Sequence, residues 1–341
     1  MFEGSNQTLC SVCCCTTFHR ILTIVFMILL VVAILFGNSV ALVVFLGTKH
    51  FRTPQGYLKT SLAVADLAVG LFVVPFSVYV EISLLLNDFS TENRTRAEYV
   101  SWGFSCYVIG PIFAGCTLVS ITTISLLTVE RSIAVLKPLH KEVVITKGRT
   151  VFLIIMSWLT SFFLAMSPMI FSGDIILEYN LCSRMCNYAL LAGSPPNAWN
   201  ILILFPAFDF TLLGGTVVIN ILSLTTIRQH SNRRKLLAVV DTQGKITRPS
   251  FSDIKAAKTI GTLTLAFTVS FTPVAVLVVG NVLGYQWCDF SFFSFWILTT
   301  NSCWNVIIYS IKDMKFRQRA HHFLISPKVP KPVISSKANT Q

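Results

Sequence analysis

The chain has 341 residues, 53% of them hydrophobic and 12% charged, with a formal net charge of +12. A soluble domain carries roughly 25% charged residues, so this composition excludes an ordinary soluble protein and makes lipid the solvent for much of the chain. The positive charge reads as a topogenic signal and an attraction to anionic membrane lipid of the inner leaflet, not as a nucleic-acid interface.

Apolar residues fall into seven blocks, at 21–47, 57–83, 102–135, 149–171, 197–227, 254–283 and 290–311. Each reaches the roughly 20 residues a spanning helix needs. The fold class expected is therefore all-α: a seven-transmembrane-helix bundle over 21–311. Only helices satisfy the backbone within a segment of this kind in lipid.

Residues 1–20 form a tail with no basic leader and cleavage pattern, so the first span directs insertion. With that tail outside, the external segments hold only Arg20, Arg94, Arg96 and Arg184 of the 27 Lys and Arg, and the basic remainder stays in the cytoplasm. Asn6 and Asn93 begin glycosylation triplets, and both fall on the external side. So do Cys10, Cys13, Cys14, Cys15, Cys106, Cys182, Cys186 and Cys288, in a compartment where disulfides form. Cys116 and Cys303 fall inside spans as small apolar core thiols.

The second block carries Asp66 at mid-span, where a carboxylate costs at least about 2.5 kcal/mol unless paired or hydrated. The third ends in "TVERSIAVLKPL", with Glu130 beside Arg131. From Cys106 to Arg131 is about 37 Å of helix, one membrane thickness, so one end is outside and the other cytoplasmic. Asp209 in the fifth block reads as a satisfied polar residue at a helix interface. His230 to Phe251 reads as a short solvated loop. After the seventh block, "IKDMKFRQRAHHF" alternates apolar and basic residues, which predicts an interfacial helix over 312–323 on the inner membrane surface. Residues 324–341, rich in Pro, Lys and Ser, read as a disordered cytoplasmic tail.

These positions together resemble the rhodopsin-like (class A) G-protein-coupled receptors. The matching residues are "GNSV" with Asn38, "SLAVADLAVG" with Asp66 followed by Pro75, and Cys106 with "ERS". Trp158, Pro168, Pro206, "FTP" ending at Pro273, and "NVIIY" with Asn305 and Tyr309 complete the set. The resemblance implies a plasma-membrane receptor that passes the binding of an extracellular ligand to a heterotrimeric G protein, with arrestin as a further partner. It implies a disulfide from Cys106 to the second external loop, with Cys186 preferred over Cys182. Cys182 is then left to its own loop, to Cys288 or to the tail, and the pairing of Cys10, Cys13, Cys14 and Cys15 stays open.

The same resemblance implies an allosteric sodium ion at Asp66 and Ser120, with Asn301, Ser302 and Asn305 around it; a protonated Asp66 in a hydrated network is the alternative. It makes Pro206, Ile121 and Phe267 the connector between ligand pocket and cytoplasmic end. Glu130 restrains Arg131, with Asp253 as a second acid, and Arg131 and Leu139 belong to the G-protein crevice. The chain departs from the pattern at four places. Phe271 stands where tryptophan is usual, Val306 replaces a proline, Gly214 a tyrosine that would partner Tyr309, and Ser132 an aromatic.

Phe113 occupies the place of the aspartate that amine receptors use. A presumed cavity of Phe76, Phe113, Thr117, Ala198, Trp199, Leu202, Phe271, Val274, Ala275, Val278 and Phe295 suits a lipid-like or weakly polar ligand. An amine-type receptor with a non-standard cation site, at Glu81 or Asp289, is the alternative. A light receptor needs a lysine in the seventh helix, and none stands there before Ile311. One polar cluster rather than a polar row argues against a channel or transporter. No metal-ligand spacing, glycine loop or triad supports an enzyme.

Overall fold

The computed structural model describes residues 17–87, 95–136, 145–191, 193–237, 251–285 and 287–325. Helix α1 (Thr17–Gly47) is followed by a 3-10 turn, Lys49–Phe51. The second span consists of α2 (Pro54–Ala68), a π turn (Val69–Val73) and α3 (Val74–Asn87). Then come α4 (Thr95–Leu136), α5 (Lys147–Phe171), strands β1 (Ile175–Asn180) and β2 (Met185–Leu190), and a 3-10 segment (Pro196–Ile203) leading into α6 (Leu204–Leu237). Helices α7 (Phe251–Val282), α8 (Cys288–Lys312) and α9 (Met314–Ile325) complete the described residues.

Among the described residues, six helical segments are long and apolar enough to cross a membrane. Helix α8 has the length, at 25 residues, but Thr299, Thr300, Asn301, Ser302 and Asn305 make it more polar. The helices overrun their apolar blocks because polar turns continue the helix once it is nucleated. Thus α4 begins at Thr95 rather than at 102, and Thr53 caps the second span by accepting the Gly56 amide at 3.2 Å, with Pro54 in the first turn.

In α1 the residues Met27, Leu30, Ile34, Asn38, Ala41 and Phe45 are buried while Leu29, Val32, Phe36 and Val43 are exposed. That is the three-and-four spacing of a helix with one face on protein; the exposed face is apolar because its solvent is lipid. Helix α4 is the central column and packs against α2, α5, α6 and α7. Polar rungs join it to its neighbours: Thr122 to Ser157 on α5, Ser125 to Thr216 at 2.9 Å and Ser132 to Ser223 at 2.7 Å on α6. Trp158 donates to Ser61 at 2.9 Å between α5 and α2. Such ties act where apolar burial cannot favour one helix pairing over another.

At Gly70, in the π turn, an added Cβ would stand 2.6 Å from Ile34 Cγ2. The isoleucine is branched at Cβ and cannot swing aside, so α1 and the second span meet only because this residue has no side chain. Gly70→Val is expected to lower stability by about 1–3 kcal/mol, read as a fall in the thermal unfolding midpoint of the detergent-solubilised protein. An unchanged midpoint would show that the two spans are not held at this point.

The antiparallel hairpin β1–β2 pairs Ile175 with Leu190 and Asn180 with Met185. It is the one β element among the described residues and an addition to the all-α expectation. Alternation buries Ile175, Leu177 and Tyr179 against the bundle and leaves Glu178 exposed on the other face. The connecting turn needs a left-handed residue, Arg184 (φ 55°), and is held by Asn180 Oδ1 accepting from the amides of Cys182 and Ser183.

Candidate functional site

A cavity of about 630 Å³ opens at the hairpin end of the bundle, between α4, α6, α7, α8 and the hairpin. Phe113, Thr117, Trp199, Phe271, Val274 and Phe295 all line it, as do Leu202, Ala275 and Val278. Phe76 and Ala198 do not. Phe76 instead packs beside Tyr179, ring centroids 6.3 Å apart, in a cluster with Val80, Cys106 and Leu177. The reason is the hairpin: its turn descends between the second span and α8, where Ser183 is fully buried and its carbonyl accepts the Trp296 indole N–H at 3.0 Å.

That insertion also removes Glu81 as a cation site for a ligand. Glu81 accepts from Arg184 Nη1 at 3.0 Å and from the Tyr179 hydroxyl at 3.1 Å, and Arg184 lies over the Phe292 ring at 5.6 Å. The protein supplies its own guanidinium there. Asp289 borders a separate open groove with Val276, Trp287 and Phe290.

Two disulfides fix the hairpin. Cys106 is bonded to Cys186, which ties β2 to α4, and Cys182 to Cys288, which ties the turn to the first residue of α8. Among the described residues Cys116 and Cys303 are free. Desolvation in the hairpin raises the Tyr188 phenol and the Glu178 carboxyl above their ordinary ranges. Tyr188 donates to the Ala165 carbonyl at 2.6 Å.

Asp209 is not the satisfied interface residue expected from the sequence. It is 1% exposed, its Oδ1 has no hydrogen-bond partner among the described residues, and it lines the large cavity. The helical register explains this: Asp209 lies three residues after Pro206, on the same face of α6, and Pro206 also lines the cavity.

Below the cavity Phe271 stacks on Phe267, centroids 6.0 Å apart. Phe267 and Ile121 are fully buried in the same core as Phe113. Beneath them a pocket of about 10 Å³, with room for a single small species, is lined by Asp66, Ser120, Asn301 and Ser302. Asp66 accepts from Asn305 Nδ2 at 2.8 Å, and Asn38 Nδ2 donates to the carbonyls of Ile34 and Ser302 at 3.0 and 2.9 Å. Ser120 donates to the Cys116 carbonyl at 2.9 Å, which leaves its oxygen lone pairs to face the pocket.

At the far end Glu130 is buried and Arg131 half-buried. Leu139 lies outside the described residues, as do Asn6, Asn93, Cys10, Cys13, Cys14 and Cys15; Asp253 lies in the first turn of α7 but its side chain is not described. Tyr309 is buried against Phe45 and Phe316, and its hydroxyl has no hydrogen-bond partner among the described residues. The lysine that sequence reading passed over is Lys59. Its ammonium stands 4.8 Å from the Tyr309 ring centre, 5.6 Å from that of Phe45 and 3.6 Å from Asp313 Oδ2. In the sequence Lys59 counted only as one more inner-side charge; its place two turns before Asp66 on the same helix was the available signal. Glu178, Tyr188 and Trp287 line the cavity and were likewise missed, because loop residues carry no span periodicity; Asn281, in the last turn of α7, lines it too.

The family model described as "7 transmembrane receptor (rhodopsin family)" matches residues 37–309. The chain belongs to the rhodopsin family of seven-transmembrane receptors, and is a multi-pass membrane protein. It is 24% identical over 292 residues to a Gq-coupled rhodopsin of Mizuhopecten yessoensis, covering 83% of this chain and 55% of that one. It is 26% identical over 297 residues to a melanopsin of Branchiostoma belcheri, covering 83% and 39%. Against the RYamide receptor of Drosophila melanogaster it is 25% identical over 317 residues, covering 89% and 63%. The chain therefore spans about 40 to 60% of the length of these relatives. Two of the three are opsins, yet no lysine lines the cavity among the described residues, and in α8 lysine occurs only as Lys312, at the opposite end.

Proposed function

We propose that this chain is a plasma-membrane receptor, amino terminus outside, that binds an extracellular small molecule in the 630 Å³ cavity and activates a heterotrimeric G protein. The observation that carries the reading is continuity. The cavity floor is Phe271, which stacks on Phe267, which packs with Ile121 above the Asp66 cluster. A ligand that favours one packing of these aromatics shifts the population of bundle states. Packed cores switch between discrete arrangements rather than deforming continuously. The G-protein crevice is assigned to Arg131, Leu139 and the adjoining ends of α6 and α7, with Glu130 and Asp253 restraining Arg131 in the resting state. The aromatic lining supports a ligand with a large apolar body. Expression in cells with G-protein dissociation readouts tests the reading, starting from the Gq class named for one relative. Surface expression with silence toward every G-protein class, basal and ligand-stimulated, would refute it.

The residues around Asp66 fit a sodium ion: one carboxylate, the Ser120 hydroxyl and the side chains of Asn301 and Ser302 border a space of single-ion size. Bound there, sodium would oppose the collapse of this pocket and hold the resting bundle. Added sodium is expected to lower basal G-protein activation, and Asp66→Asn to remove that dependence. A sodium response that survives Asp66→Asn would exclude the site.

A further inference from the structure

We infer that the ligand is a small organic cation, a protonated amine on an aromatic or apolar body, whose charge is held by Asp209. The inference rests on the cavity being the receptor's ligand site. Asp209 is 1% exposed, lines that cavity, and has no hydrogen bond or ion pair from any described residue. A carboxylate so placed in apolar surroundings is costly unless a cation or donor meets it. The other acids near this end of the bundle are engaged: Asp66 by Asn305, and Glu81 by Arg184 and Tyr179. Asp209 is left for what enters the cavity.

The rest of the lining agrees with this sign of charge. No Lys, Arg or His lines the cavity among the described residues; its second charged residue, Glu178, is exposed at the mouth. An acid at the entrance of a low-dielectric cleft raises the local concentration of cations and speeds their entry. Phe113, Phe271 and Phe295 line the same space, and aromatic faces attract a desolvated ammonium in addition to packing on an apolar body. An anionic ligand would meet two carboxylates and no counter-charge. A wholly neutral lipid would leave Asp209 unpaired.

This places the cation on α6 rather than on α4, where Phe113 stands. The head group sits on the Pro206 face of α6, in a cavity that Phe271 also lines. A cation held there shares the cavity with Phe271, the floor of the proposed switch, which links charge recognition to it.

The test uses the full chain in lipid nanodiscs and a charge-matched set on shared skeletons: 2-phenylethylamine, tryptamine and 3,3-diphenylpropylamine, the corresponding alcohols, and the corresponding carboxylates. Binding is read by thermal shift and by direct titration. The amines are expected to bind in preference to their alcohols and carboxylates. Asp209→Asn should weaken the amines by roughly thirtyfold or more, the loss typical of a buried charge deprived of its partner, while Asp209→Glu keeps the preference. Glu178→Gln should slow amine association and reduce its salt dependence. Equal binding of amine and alcohol by the wild-type chain, including no binding of either, overturns the proposal and needs no variant that might misfold. So does an Asp209→Asn chain, folded by its thermal midpoint, that binds amines as well as wild type. G-protein activation measured in the same nanodiscs separates the two readings. Asp209-dependent amine binding without G-protein activation at any concentration refutes coupling alone; G-protein activation without an amine preference refutes this inference alone.

Discussion

Replacing Glu81 by alanine is expected to lower stability by about 3 kcal/mol, the scale of loss when one member of a buried ion pair is removed. Glu81 is 3% exposed and Arg184 11%, with 3.0 Å between the charged atoms. The alanine would also leave the Tyr179 hydroxyl without the acceptor it now uses at 3.1 Å. The pair is expected to matter more for geometry than for net energy, because desolvating two charges offsets much of their attraction. Hence Glu81→Met with Arg184→Leu should recover most of the loss that either change causes alone. The measurement is a double-mutant cycle on the thermal unfolding of the purified chain, with a coupling of about 1–3 kcal/mol expected. A coupling near zero would show that the hairpin turn is held by its disulfides and not by this pair.

The place of Glu81 in the structure bears on what a sequence of this kind discloses. The number and order of spans are legible because lipid forces the backbone into helices and demands long apolar runs, and the runs at 21–47 and 149–171 become α1 and α5 with little change. Intramembrane polar residues are legible for the same reason. Asp66 and Asn305, 239 residues apart, stand out against the apolar background, and each needs a partner. What fails is any residue whose role depends on the loop between α5 and α6. Strand β1 shows alternation over only six residues, and the hairpin's depth is set by the bonds of Cys186 to Cys106 and Cys182 to Cys288, which no local pattern encodes. Glu81 therefore looked available and Phe76 looked like cavity wall; Arg184 and Tyr179 arrive from that loop and occupy both places. Asp209 was misjudged on a different ground. Its neighbours in sequence are apolar, and only the packing of α6 against α4 and α7 decides that its carboxylate lines a cavity rather than meeting a hydroxyl.

Asp313→Ala is expected to cost more than the helix cap it removes. Asp313 Oδ1 accepts the amides of Lys315 and Phe316 at 3.1 Å each, which caps α9, and loss of such a cap is worth about 1 kcal/mol. Its other oxygen faces Lys59, whose side chain is 11% exposed, at 3.6 Å. Without Asp313 that ammonium keeps the Phe45 and Tyr309 rings but loses its nearest carboxylate, at a further cost of about 2 kcal/mol. In a Lys59→Met background, which fills the same space with an apolar chain, Asp313→Ala should therefore cost only the cap. Thermal unfolding of the four chains gives the comparison, and equal costs in the two backgrounds would dismiss the pairing. The functional consequence follows from position. Lys59 is within electrostatic reach of both Glu130 and Arg131, repelling the guanidinium and attracting the carboxylate that is proposed to restrain it. Lys59→Met removes that competition, so the resting pair tightens and basal G-protein activation falls. A rise in basal activation would instead make the lysine itself part of the restraint, acting through Asp313 to hold α9 and the Tyr309 end of α8 in place.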